Sequence, residues 1–226
     1  MKYISIDLET TCIDPKCPEN MLQIAMVAEN TEASVDVSDL PHFRAIIIPE
    51  AGTVTGSLTA LAMNAWIMVA IELHKKVIRP GVSAQVATKE AQCYFDSLGV
   101  PQETIQRAID AYLCNRIAGL KSVITQANDW IDGIFGKNAH GIIAAGKNVA
   151  GFDMNFLPSD LKRRFSHRTI DPGSVLIDWT RNAPPTSNDL AAAYGEQVDG
   201  AVSHDAYQDA KDVITWLRRS YPKTEI

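Results

Sequence analysis

The segment Lys2-Tyr3-Ile4-Ser5-Ile6-Asp7-Leu8-Glu9-Thr10-Thr11 sets two carboxylates two residues apart at the end of an apolar, strand-like run. Along a strand, residues i and i+2 face the same way. Asp7 and Glu9 therefore project side by side from one face, where like charge and desolvation both raise the free energy of the ionised pair. A divalent cation between them removes that cost, and Asp and Glu oxygens are the ligands Mg2+ prefers. The pattern predicts a metal site at the mouth of a sheet, and it requires further carboxylates from elsewhere in the chain.

Two later segments supply them: Asn148-Val149-Ala150-Gly151-Phe152-Asp153-Met154-Asn155-Phe156-Leu157 and Ser203-His204-Asp205-Ala206-Tyr207-Gln208-Asp209-Ala210. An N-terminal Asp-x-Glu strand, a middle Phe-Asp followed by Phe-Leu, and a late His-x4-Asp resemble, in that order, the three motifs of the DEDDh family of DnaQ-like 3′–5′ exonucleases. Each motif alone is weak; the three in order, with matching flanks, are specific. The resemblance implies an α/β, ribonuclease H-like fold with a mixed five-stranded sheet flanked by helices. It implies metal-dependent removal of nucleoside 5′-monophosphates from the 3′ end of single-stranded DNA or short RNA, with two ions, Mg2+ or Mn2+. Carried over position by position, Asp7, Glu9, Asp153 and Asp209 are the metal ligands, and His204 is the general base that takes a proton from the attacking water.

The flanks divide between subfamilies. Asn148 lies five residues before Asp153, a spacing similar to oligoribonucleases, as is the segment His167-Arg168-Thr169-Ile170-Asp171 with Trp179, which also resembles ribonuclease T. Cys12 stands where these families usually have glycine, and Thr55 to Asn64 looks more like small exonucleases carried by phages. Sugar preference stays open between DNA and RNA.

Composition narrows the partners. A formal charge of −6, from 21 basic against 27 acidic residues, argues against a broad grip on duplex nucleic acid, which comes with a basic footprint. It is compatible with a nuclease that holds a strand by its end, because the catalytic carboxylates are part of the excess and bound cations invert the local field. No stretch approaches the roughly 20 apolar residues of a membrane span, and the first strand leaves no room for a signal segment, so a cytoplasmic protein without membrane partners is expected. Cys12, Cys17, Cys93 and Cys114 show no CxxC spacing and read as thiols outside disulfides.

Length and patterning suggest one exonuclease domain over residues 1–226. Tyr3 to Leu8, Met21 to Glu29 and Phe43 to Ile48 read as a three-stranded meander. Leu58, Leu61, Ala65, Met68 and Glu72 recur at helical spacing, predicting one helix to about Val77 that Pro80-Gly81 stops. Gly141 to Ala145 reads as a strand and Phe152 to Arg164 as a helix. Residues 82–137 read as helical: one helix ends at Gly99-Val100-Pro101, a second carries the stripe Ile105, Ala108, Ile109, Tyr112, Leu113, Arg116, Ile117 and Leu120, and a third spans Ser122 to Phe135. This stretch is either an elaboration packed on the core or a long version of the family's own helical segment.

Five residues of regular helix turn through about 500°, so His204 cannot share a helix face with Asp209 and is expected in the preceding loop or first turn. Thr10, Leu61 and Asn64 are the candidate contacts to the terminal nucleotide. Thr10 is delivered to the site by the strand end, and Met63, Phe152 and Phe156 flank the motifs, the two phenylalanines reading better as core. Lys162, Arg163, Arg164, His167 and Arg168 form one basic cluster, a set of phosphate contacts or a solvated helix end. Two competing functions remain: a catalytically silent nucleic-acid or protein-binding module on the same fold, and an endonuclease or transposase-type enzyme.

Overall fold

The computed structural model describes residues 1–16, 21–33, 35–50, 52–77, 84–194 and 204–221. Its centre is a mixed sheet of six strands: β1 (Lys2–Thr10), β2 (Met21–Asn30), β3 (His42–Ile48), β4 (Arg116–Gly119), β5 (Ile142–Ala145) and β6 (Phe165–Ile170), in the order β4-β3-β2-β1-β5-β6. β1, β2 and β3 form the expected antiparallel meander, and β4, β5 and β6 each join their neighbour in parallel. β1 is thus interior, flanked by β2 and β5, and its backbone is buried on both edges as an apolar run with β-branched residues favours.

The period of two assigns each face of the sheet. Ile4, Ile6 and Leu8 of β1, with Phe43, Ala45 and Ile47 of β3, pack against α5 (Leu120–Phe135) through Val123, Ile124, Ala127 and Ile131. Tyr3 and Val27 lie on the opposite face under α10 (Ala206–Arg218), which follows the short α8 (Pro172–Val175) and α9 (Ser187–Tyr194), against Ala210, Val213, Ile214 and Leu217. Farther out on that second face, Leu22 and Ile46 meet α2 (Ala65–Val77), α3 (Ala84–Ser97) and α4 (Gln102–Cys114) through Trp66, Ile67, Phe95, Ile105 and Ile109. Asp7 and Glu9 share the parity of Tyr3, so they face α10. The segment 84–114 is a helical layer beside α10 on that same face.

Three expectations need correction. The sheet has six strands where five were expected, because the apolar stripe after Cys114 does not continue as helix: residues 116–119 pair in parallel with Ala45 to Ile48. The stripe fits both periods over so few residues, and an open edge on β3 decides for the strand. The predicted helix over residues 152–164 is two short helices, α6 (Asp153–Phe156) and α7 (Ser159–Lys162), since Pro158 keeps the preceding residue extended, with Leu157 at ψ 130°. The helix predicted from residue 58 to 77 is interrupted at Asn64, which separates α1 (Leu58–Met63), capped by Ser57, from α2. Its predicted stop at Pro80-Gly81 lies outside the described residues, as does Cys17. Cys93 and Cys114 are exposed thiols in no disulfide. Among the described residues no helix is long and apolar enough to cross a membrane.

The basic cluster divides. Arg163, Arg168 and His167 are exposed, whereas Arg164 is 5% exposed and bonds Asp132, Asn128 Oδ1 and the Ala139 carbonyl, tying α5 to the start of β6. Arg164→Met should cost roughly 2–3 kcal/mol in urea denaturation, less than for a fully buried pair because Asp132 keeps 28% exposure. A loss below roughly 0.5 kcal/mol, the level of an ordinary surface site, would return Arg164 to the solvated cluster.

Candidate metal and nuclease site

Asp7, Glu9 and Asp209 meet at the end of β1. One ligand oxygen from each lies within 4.8 Å of the others, a spacing that one cation can bridge. Two features of β1 bring this about. Strand parity puts Asp7 and Glu9 on the face of α10, and the register breaks between Glu9 and Thr10, where Glu9 pairs with Gln23 but Thr10 pairs with Met21. Such a bulge ends regular pairing and re-aims the side chains beside it. Asp209 enters from the first turn of α10, whose N-cap is Asp205, with its carboxylate accepting the Tyr207 N–H at 3.0 Å.

Asp153 arrives from the other face. The turn after β5 runs through Gly146 and through Asn148, which is left-handed at φ 58°, and delivers Asp153 as the first residue of α6. Gly146 stands where a Cβ would lie 2.8 Å from the Ile6 carbonyl, so the turn hugs β1. Asp153 is 3% exposed, and its Oδ1 accepts the N–H of Leu8, between Asp7 and Glu9, at 3.1 Å. It therefore grips the strand that carries the other two carboxylates.

Burial, joined by mutual repulsion at Asp7 and Glu9, raises the pKa of these acids. Burial, then Asp153, Asp209, Glu9 and Asp205, pushes Asp7 well above the carboxylate range. Burial and Asp209 raise Glu9 to about 8 against the opposing pull of Asn64 and Arg107. Burial raises Asp153 to about 7 against its backbone hydrogen bonds. Oxygen-only donors, closely spaced and paying for their own ionisation, fit a hard divalent cation.

His204 sits in the loop directly before the Asp205 cap, as expected, in the left-handed region at φ 49°. Burial first, then the Arg107 charge, lowers its pKa and so favours the neutral ring. Thr10 is 8% exposed; its hydroxyl bonds the Cys12 carbonyl, and its own carbonyl accepts from Asn64 Nδ2 at 3.3 Å. Asn64 is 2% exposed and its Oδ1 has no partner. The loop before α1 closes on the same strand end: Ser57 N–H donates to the Thr11 carbonyl at 2.9 Å, and a Cβ on Gly56 would lie 2.2 Å from that oxygen. Leu61 lines a groove with Val54, Met68, Ile71 and Lys75, which none of the four acids lines. Phe156 is core and Phe152 packs on it, ring centroids 4.9 Å apart. Lys147, Ser187, Asp212 and Trp216 line a cavity of about 130 Å³ with Asp7 and Asp209.

Two residues at the site escape a motif reading. Gln23 is fully buried and accepts the Ala206 N–H at 3.1 Å while its Nε2 donates to Asp205 Oδ1 and Asn115 Oδ1, both at 3.3 Å. Its signal was a lone amide inside the apolar run Met21 to Ala28, a polar group that must find partners. Arg107, from α4, donates to the His204 carbonyl; no sequence signal marks it.

No family model matches the chain, and none of the curated proteins matches it in sequence. Among solved structures it is similar to the zinc-bound form of E. coli ExoI in complex with single-stranded DNA, at 14% identity and a TM-score of 0.53, over 96% of this chain and 40% of that one. The chain thus spans less than half of ExoI. The likeness shows the fold, α/β and ribonuclease H-like.

The raised acids bind protons in the folded state that the unfolded chain has lost. Their stabilising contribution is present below the ordinary carboxylate range, about pH 4, and disappears as pH rises to about 8. In chelator, wild-type melting temperature should therefore fall between pH 5 and 8.5 relative to Asp7→Asn, which should be the more stable at pH 8. Added Mn2+ should reverse this order by roughly 2–3 kcal/mol at a hundredfold excess over its dissociation constant. Parallel curves for the two proteins, with and without Mn2+, would remove Asp7 from any metal site.

Proposed function

We propose that this chain is a metal-dependent 3′–5′ exonuclease of the DEDDh type, acting on single-stranded DNA or short RNA and releasing nucleoside 5′-monophosphates. The observation that carries the reading is the convergence of Asp7, Glu9 and Asp209 within 4.8 Å, with Asp153 bonded to the intervening backbone. Resemblance of the three motifs in order, and the fold shared with ExoI, whose complex holds single-stranded DNA, support it.

Asp7, Glu9, Asp153 and Asp209 would hold Mg2+ or Mn2+. When bound, two such ions supply charge stabilisation for an in-line displacement at phosphorus. The chain's own part is to place the donors rigidly: the sheet fixes Asp7 and Glu9, the Leu8 N–H fixes Asp153, and the capped helix fixes Asp209. His204 takes a proton from the attacking water as its oxygen bonds phosphorus and the bond to the 3′ oxygen of the penultimate nucleotide breaks. A neutral imidazole is the form this requires, and burial favours it. Thr10 and Asn64 are buried and shape, with the Gly56-Ser57 loop, the strand end beside which the terminal nucleotide would lie.

Oligonucleotides labelled at the 5′ end, incubated with Mg2+ or Mn2+, should give a descending ladder, and single-stranded circles should remain intact. Absence of any metal-dependent ladder would leave a binding module; cut circles would make the enzyme an endonuclease. Asp7→Asn should lose activity, and more than a tenth of wild-type turnover would exclude Asp7 from the centre. His204→Ala should lower kcat by roughly 10² to 10⁴. Wild-type kcat should rise with pH through a value below the ordinary histidine value of about 6.5, and the mutant should lack that limb. A mutant with the wild-type profile would make His204 a bystander.

A further inference from the structure

We propose that Arg107, on the helical layer beside α10, is a positioning residue for His204. The inference rests on the reading of His204 as the base, and adds what holds it. His204 is a non-glycine residue at φ 49°, a conformation in which the Cβ crowds the backbone and which persists only when its surroundings enforce it. Arg107 Nη2 donates to the His204 carbonyl at 2.7 Å, across 97 residues of sequence. The guanidinium is itself clamped, 4.4 Å over the ring of Trp66, and Trp66 is 3% exposed within α2. A planar cation stacked on a buried indole has little freedom to follow a moving loop.

The next two residues are held from a second direction. Gln23 binds the Asp205 carboxylate and the Ala206 N–H, and reaches Asn115 at the end of the Arg107 helix. Gln23 stands opposite Glu9 in the β1–β2 register, so residues 204–206 are indexed to the strand that carries the acids. Arg107 and Gln23 together fix three consecutive residues, and thereby the direction in which the imidazole leaves the chain. This gives the segment 84–114 a part in the site.

The test uses Arg107→Met, which keeps apolar bulk beside Trp66 but removes the charge and the donor, and Arg107→Lys, which keeps both, each alone and combined with His204→Ala. Arg107→Met should lower kcat roughly tenfold to a hundredfold, the effect of misplacing a catalytic group, with KM within a factor of about two. Arg107→Lys should recover part of the loss, and the Met substitution should change kcat less than about twofold in the His204→Ala background. Amide hydrogen exchange at residues 205–207 should quicken at least roughly tenfold in Arg107→Met, while amides within α4 stay as in wild type. A raised KM would show a direct substrate contact instead, and equal losses in both backgrounds would show a role independent of His204; either overturns the proposal. Wild-type protein without 3′-terminal hydrolysis overturns the nuclease reading and the catalytic sense of Arg107. Unchanged exchange at 205–207 overturns the positioning itself, whether or not the chain is active.

Discussion

Repulsion among carboxylates at the end of one buried strand is the constraint around which this structure is arranged. Asp7, Glu9 and Asp209 bring like charge within 4.8 Å, and Asp153 lies behind them, 3% exposed. Three kinds of support hold the four acids in place: an interior strand paired on both sides for Asp7 and Glu9, the Leu8 N–H for Asp153, and a helix capped and packed on the sheet for Asp209. The arrangement is a folded-state cost that protonation or a cation relieves. A protein that keeps such a cost in place has put its stability into the rest of the core, which the two faces of the sheet supply.

The second face carries more than α10. Beside it, α2 and α4 bury Trp66, Ile67, Ile105 and Ile109 against Leu22 and Ile46, and the middle and C-terminal end of α4 lie near the start of α10. Two polar side chains then cross the boundary between the layers. Gln23 reaches from the sheet to both helices, and Arg107 reaches from α4 to the loop before α10. Buried amides and guanidinium groups demand partners with defined geometry, so they fix the relation between layers that apolar packing alone leaves adjustable. The loop that carries His204 lies where those demands meet.

Local pattern was enough for what depends on local geometry. The period of two in Tyr3 to Glu9 gave the strand and the shared face of Asp7 and Glu9; the helical angle between residues 204 and 209 gave His204 a place before the helix; the three apolar runs gave the meander. Pattern failed where two local solutions were equally good. Arg116 to Gly119 suits a helix stripe and a strand, and the open edge of β3 decided. Phe152 to Arg164 has helical spacing on both sides of Pro158, and the proline divided it.

What the sequence by itself determined is therefore local: the strand that sets Asp7 and Glu9 on one face and the place of His204 before a helix follow from neighbours within a few residues, whereas Asp153, Asp209 and the role of His204 rest on the resemblance of the motifs. Only the tertiary structure decided what surrounds them. That Gln23 stands opposite Glu9, that Asp153 bonds the backbone between the first two acids, and that Arg107 meets a carbonyl 97 residues away are consequences of sheet register and layer packing. Such contacts are set by the summed burial of many apolar side chains, and no short segment carries a record of them.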